Sequence, residues 1–335
     1  MRLAPDVGVA VVDPSVSLVD GELRLTWRER SSSVTVETAA SIAAEERRQR
    51  TAAGAAGAPG GSRPRHRRPA SGPGAGRGSG RLAPAPTDPA ARRLLDAIGT
   101  RSPDEVLAAG EGGGTSEGAP LADVARLVAA LLATGPRAGG ADRPAPPTLD
   151  VPGDEVLGFV RRHLEVRCLL AVAPGVLARC GLRPEVVRIL RAEAAGAAGD
   201  PAGAVAELEA AEPWAHVTLP LARARRALGE HAAIVASTEG VTTIDDTTAL
   251  LSIERGAALA ALGRDADAAA AFREALRLPR TGDAVLRRAA LERAAANHRR
   301  GHHGRALSEL TRLRREHPDL DGLATVVRSL QQTTR

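Results

Sequence analysis

Lysine and tyrosine are missing altogether from the 335 residues, so all 45 basic side chains are arginine. Phenylalanine stands only at Phe159 and Phe272, and tryptophan only at Trp27 and Trp214. Without an ammonium group there is no P-loop, no Schiff-base cofactor site and no kinase-type phosphate site, since each places a lysine at a fixed point. So few rings also argue against binders that stack single-stranded bases. The two cysteines, Cys168 and Cys180, are too few for a disulfide framework, and read as reduced core residues in helical sequence. No apolar run near the start is long enough for a signal peptide, and the longest one, from Cys168 to Ala178, is too short to span a bilayer. The expectation is a cytoplasmic protein without a membrane span.

The positive balance of +5 is local. Residues 51–86 hold Arg63, Arg65, Arg67, Arg68, Arg77 and Arg81 with no acidic residue, a charge of +6 that leaves −1 for the rest. This Gly, Pro, Ala and Arg segment buries too little to offset its ordering entropy, so it is expected to be a disordered linker. A second linker is expected over 136–150.

Before the first linker, residues 1–50 read as a small β-hairpin plus a helix. Val16 to Val19 and Glu22 to Trp27 alternate across Asp20-Gly21, the dipeptide that supplies the positive φ of a tight hairpin turn. Val34 to Val36 adds a strand, and Thr38 is placed to cap the helix that follows. Three short strands bury little, so the piece must pack on something else. Residues 87–135 read as short helices, with Ser102-Pro103-Asp104-Glu105 a good helix start and Leu121 to Thr134 apolar at helical spacing.

From 151 to 330 short helices follow one another. Gly199, Gly229, Gly263 and Gly301 lie between helical patterns at spacings of 30, 34 and 38. Seven residues earlier stand Ala192, Ala222, Gly256 and Ala294; five later stand Ala204, Ile234, Ala268 and Ala306; nine later stand Leu208, Thr238, Phe272 and Leu310. Small residues let two helices approach closely, and glycine suits the left-handed turn between them. This pattern resembles the tetratricopeptide repeat family, stacked helix-turn-helix units of 34 residues, over residues 185–320. The resemblance implies a mainly α fold with a helix-turn-helix solenoid in the C-terminal half, residues 154–182 forming a preceding helix pair or cap. A plain helical bundle is the competing architecture.

No catalytic set stands out: there is neither a Gly-x-Ser-x-Gly elbow nor a His-Glu-x-x-His helix. His163 is isolated, and His298 and His302 are separated by the Gly301 turn, which spoils helical ligand spacing. The expectation is therefore a non-enzymatic protein, with no catalytic, cofactor or metal residues. The family resemblance places the first helix of each pair on a concave wall, where Arg223, Arg226, Arg288, His298 and Arg299 would face a groove. Guanidinium groups there would hold carboxylates, so the expected role is a scaffold that captures an acidic protein segment. The Lys/Asn carboxylate clamp of chaperone-binding family members is absent, since the chain has no lysine. The alternative is a nucleic-acid-associated protein tethered through the basic 51–86 segment.

Overall fold

A computed structural model describes residues 9–11, 14–27, 32–38, 40–44, 47–48, 86–111, 120–133, 149–173, 176–277 and 282–333. Both expected linkers lie almost wholly outside them. Along the chain come β1 (Val9–Val11), β2 (Pro14–Val19), β3 (Glu22–Trp27), β4 (Ser33–Thr38) and a helical turn α1 (40–44). Then follow α2 (Pro89–Thr100), α3 (Pro103–Gly110), α4 (Leu121–Ala133), α5 (Asp154–His163), β5 (Leu164–Ala173) and β6 (Val176–Gly181). The remainder is helical: α6 (Pro184–Ala197), α7 (Pro201–Glu209), α8 (Ala215–Ala227), α9 (His231–Ser237), α10 (Asp246–Ala261), α11 (Asp265–Ala275), α12 (Asp283–Arg299), α13 (His303–Glu316) and α14 (Leu323–Thr333). The molecule is thus mainly helical with two small antiparallel sheets. Contacts divide it into two compact units, Met1–Ser33 with Arg167–Arg335, and Val34–Val166. Strands β2 and β3 pack with α14 and α12, nearly three hundred positions away.

In the Val34–Val166 unit, local signals shape the elements. Thr38 caps α1: its Oγ1 accepts from the Ser41 amide at 3.2 Å, while the Ser41 hydroxyl accepts from the Thr38 amide at 2.9 Å. Ser102 caps α3, accepting from the Glu105 amide at 3.4 Å. Helices α2, α3 and α4 pack on one another, burying Leu94, Ile98, Val106, Val124 and Val128. His163 lies buried against the Phe159 ring, with centroids 4.8 Å apart.

In the larger unit the glycine turns stand where the spacing predicts. Gly199, Gly229, Gly263 and Gly301 have φ between 73° and 80° and separate α6 from α7, α8 from α9, α10 from α11, and α12 from α13. All twelve residues of the three expected columns are buried. Helices α10 and α11 approach closely, since a Cβ on Gly256 would meet the Phe272 ring at 2.9 Å. The first helices of successive pairs also touch: α6 packs on α8, α8 on α10, and α10 on α12.

Residues 164–181 correct the helical expectation. They form strands β5 and β6, with β6 also paired to β1, all antiparallel. The alanine- and leucine-rich run suits a helix by composition, but burial in β6 alternates, with Ala178 and Cys180 in and Arg179 and Gly181 out. That period of two belongs to a strand. A short apolar run cannot be assigned by periodicity alone, and sheet partners far away in sequence decide it here.

The β2–β3 hairpin turns at Asp20-Gly21, both at positive φ (52° and 79°). Its expected need for a partner is met by α12 and α14. Val16 and Leu23 join one apolar cluster with Leu291, Leu310, Leu323, Val327 and Leu330. The Val16 amide donates to the Asp321 carbonyl at 3.0 Å, and Gly322 leaves room for the Val16 carbonyl, which a Cβ there would strike. Ser32 adds a polar tie: its amide donates to Glu193 Oε1 at 2.8 Å, and its hydroxyl accepts from the Ala171 amide at 2.8 Å.

Candidate functional site

Among the described residues, a buried charged constellation spans the first helices α8, α10 and α12. Its centre is Glu254, buried on α10. One carboxylate oxygen pairs with Arg226 of α8 at 2.5 Å and the other with Arg288 of α12 at 2.6 Å. Arg226 also reaches Glu292 of α12 at 3.4 Å. Glu254, Glu292 and Arg288 are buried, whereas the Arg226 side chain is 32 % exposed. Three successive helices are therefore cross-braced by two carboxylates and two guanidinium groups whose charges cancel.

Removing such groups from water is costly, and only close pairing offsets the cost. Burial pushes the Glu292 carboxyl up, but Arg226, Arg288 and Arg299 together outweigh it and hold the group below the usual carboxylate range. The Glu254 carboxylate, with Glu292 behind it, holds Arg226 firmly protonated against the opposing effect of burial.

The four arginines and the histidine expected on the open wall divide accordingly. Arg226 and Arg288 meet around Glu254, and Arg288 is only 1 % exposed. It cannot line an open groove, because the charge is consumed inside the helix stack. His298 is buried as well, beneath the hairpin turn. Its Nε2–H donates to the Gly21 carbonyl at 2.6 Å, which leaves Nδ1 to accept from His303 Nδ1–H at 3.1 Å. Arg223 and Arg299 are exposed, and Arg299 lies near enough to act on Glu292. Other arginines between residues 287 and 315 are internally paired: Arg287 with Asp283, Arg293 with Glu309, and Arg300 with Asp265.

Sequence reasoning missed Glu254 and Glu292. The signal present was that Glu254 and Glu292 stand at matching positions of adjacent pairs, each nine residues before its turn glycine, Gly263 or Gly301. It also missed His216, fully buried in the first turn of α8 against Trp214, with ring centroids 4.4 Å apart. Burial lowers its pKa to about 4; Asp245 opposes this shift and Arg183 reinforces it. Arg183 itself sits over the Trp214 ring, 5.6 Å from its centroid. Among the described residues, no group of three or more His, Cys, Asp or Glu side chains is placed to hold a metal ion, and no helix is long and apolar enough to cross a membrane. No family model, curated protein or solved structure matches the chain.

Proposed function

We propose that the helices from Pro184 to Glu316 act as a tetratricopeptide-like interaction module, a non-enzymatic scaffold that captures an acidic protein segment. The observation that carries this reading is the contact of each first helix with the next, α6 to α8 to α10 to α12, with the ionic brace tying the last three. Such a row makes one continuous wall. Its buried carboxylates are already neutralised, so Arg223, the exposed part of Arg226, and Arg299 give the wall a cationic face. Planar guanidinium groups suit bidentate capture of Asp and Glu side chains.

The test uses Arg223→Glu, an exposed position that makes none of the ion pairs of the brace. Binding to an array of acidic peptides, measured against charge-matched basic peptides, should fall at least tenfold. Unchanged binding of the acidic set ends the reading. The nucleic-acid alternative rests on the six arginines of 51–86, and deleting that segment leaves peptide capture intact if the wall is the site.

A further inference from the structure

We infer that Cys168 and Cys180 form a reversible disulfide across strands β5 and β6, making this hairpin a thiol-modification site. Three observations lead there. The two residues are direct partners in the antiparallel register, Cys168 opposite Cys180, flanked by the pairs Arg167–Gly181 and Leu169–Arg179. Directly opposed residues in such a ladder have Cα atoms about 4.5 to 5.5 Å apart, inside the roughly 4.4 to 6.8 Å window that a disulfide spans. Side chains of opposed residues also point to the same face of the sheet, and both cysteines are buried while Arg167, Arg179 and Gly181 are exposed. Opposed positions at that spacing fall within the reach of a disulfide.

The chemistry needs a small-molecule disulfide as oxidant. Cys180 is the entry point, because it is 9 % exposed against 2 % for Cys168. Its thiol loses a proton, the thiolate attacks one sulfur of the small disulfide, and that S–S bond breaks to release one small thiolate. Cys168 then loses its proton and attacks Cys180 Sγ in the mixed disulfide, expelling the second small thiolate. The two released protons convert both leaving groups to thiols. Two protein thiols are oxidised and one small disulfide is reduced.

Burial sets the kinetics. It pushes the Cys180 thiol up to about 12, partly countered by Arg183. It raises Cys168 further, with added repulsion from Cys180. Thiolate is scarce in the folded state, so exchange proceeds through opening of the hairpin, and the finished bridge is shielded from reductants in the same way. The pair is slow to close and slow to reopen. It braces the hairpin through which the chain passes from the Val34–Val166 unit into α6.

The full chain, reduced and unfolded, is refolded in the presence of oxidised glutathione, trapped with an alkylating agent and mapped by peptide mass spectrometry. The expected product is a linked Cys168–Cys180 peptide in most molecules. In the folded chain, reopening by a small thiol should be at least tenfold slower than in denaturant. The variant Cys168→Ser should instead keep glutathione on Cys180. Two alkylated thiols, or two separate mixed disulfides with no linked peptide, would overturn the inference. If oxidised refolding gives no soluble chain, the reduced folded protein is incubated with oxidised glutathione and mapped identically. The linked peptide supports the bridge there, and its absence overturns it.

Discussion

Toward α8 and α10, helix α12 offers Arg288 and Glu292 to the charged groups of Glu254 and Arg226. Toward the hairpin and α14, the same helix offers Leu291, Ala294 and Ala295 to Val16, Leu23, Leu323 and Leu330. One element is thus buried on two sides by opposite chemistries. The apolar seal tolerates small shifts, because hydrophobic contact has no direction. The ionic brace does not, since each guanidinium must meet its carboxylate or remain a buried unpaired charge. The comparison suggests a division of labour: the seal supplies stability at the end of the helix row, and the brace sets how neighbouring first helices align.

Removing the centre of the brace should have the largest effect. Glu254→Ala removes the buried carboxylate that both Arg226 and Arg288 pair with, and should cost about 3–5 kcal/mol in denaturant unfolding. A loss below 1 kcal/mol would mean that water reaches these groups. The seal comes next. Leu23→Ala removes a buried side chain from the apolar cluster and should cost about 2–4 kcal/mol, with faster amide exchange in α14. Unchanged exchange there would separate the hairpin from that helix.

The smallest effect sharpens the contrast through pH. His216 titrates near 4 when folded and near 6.5 when unfolded. Its contribution is complete above pH 6.5 and drains away as pH falls toward 4, by about 2–3 kcal/mol. Comparing unfolding at pH 7 and 4.5 for the parent and His216→Phe measures it, and the variant should lose most of the slope. Glu292 is held below the usual carboxylate range by Arg226, Arg288 and Arg299 against burial, so its contribution too is lost on the acid side.

Much of the local structure was legible. Asp20-Gly21 between alternating strands allows one turn, and Thr38 and Ser102 are caps because their oxygens reach amides three residues on. The glycine columns were legible for a related reason, since a left-handed turn and the close approach of Gly256 to Phe272 exclude most side chains. Strands β5 and β6 were not legible. Ala and Leu serve helix and strand alike, and the choice rested on β1, more than 150 residues earlier. The candidate site was half legible. Arg226 and Arg288 do come together, but the carboxylates that draw them inward stand on helices whose alignment no short-range pattern reveals.

The amino-acid sequence by itself determined where helices begin, where the chain reverses and which small residues permit close packing, because steric and capping requirements act over a few residues. Tertiary structure alone decided that the first hairpin covers the last helices, that His298 lies beneath a turn nearly 280 positions away, and that Arg226 and Arg288 became the inside of an ionic brace. Those outcomes depend on which surfaces exclude water together, and that is a property of the assembled fold.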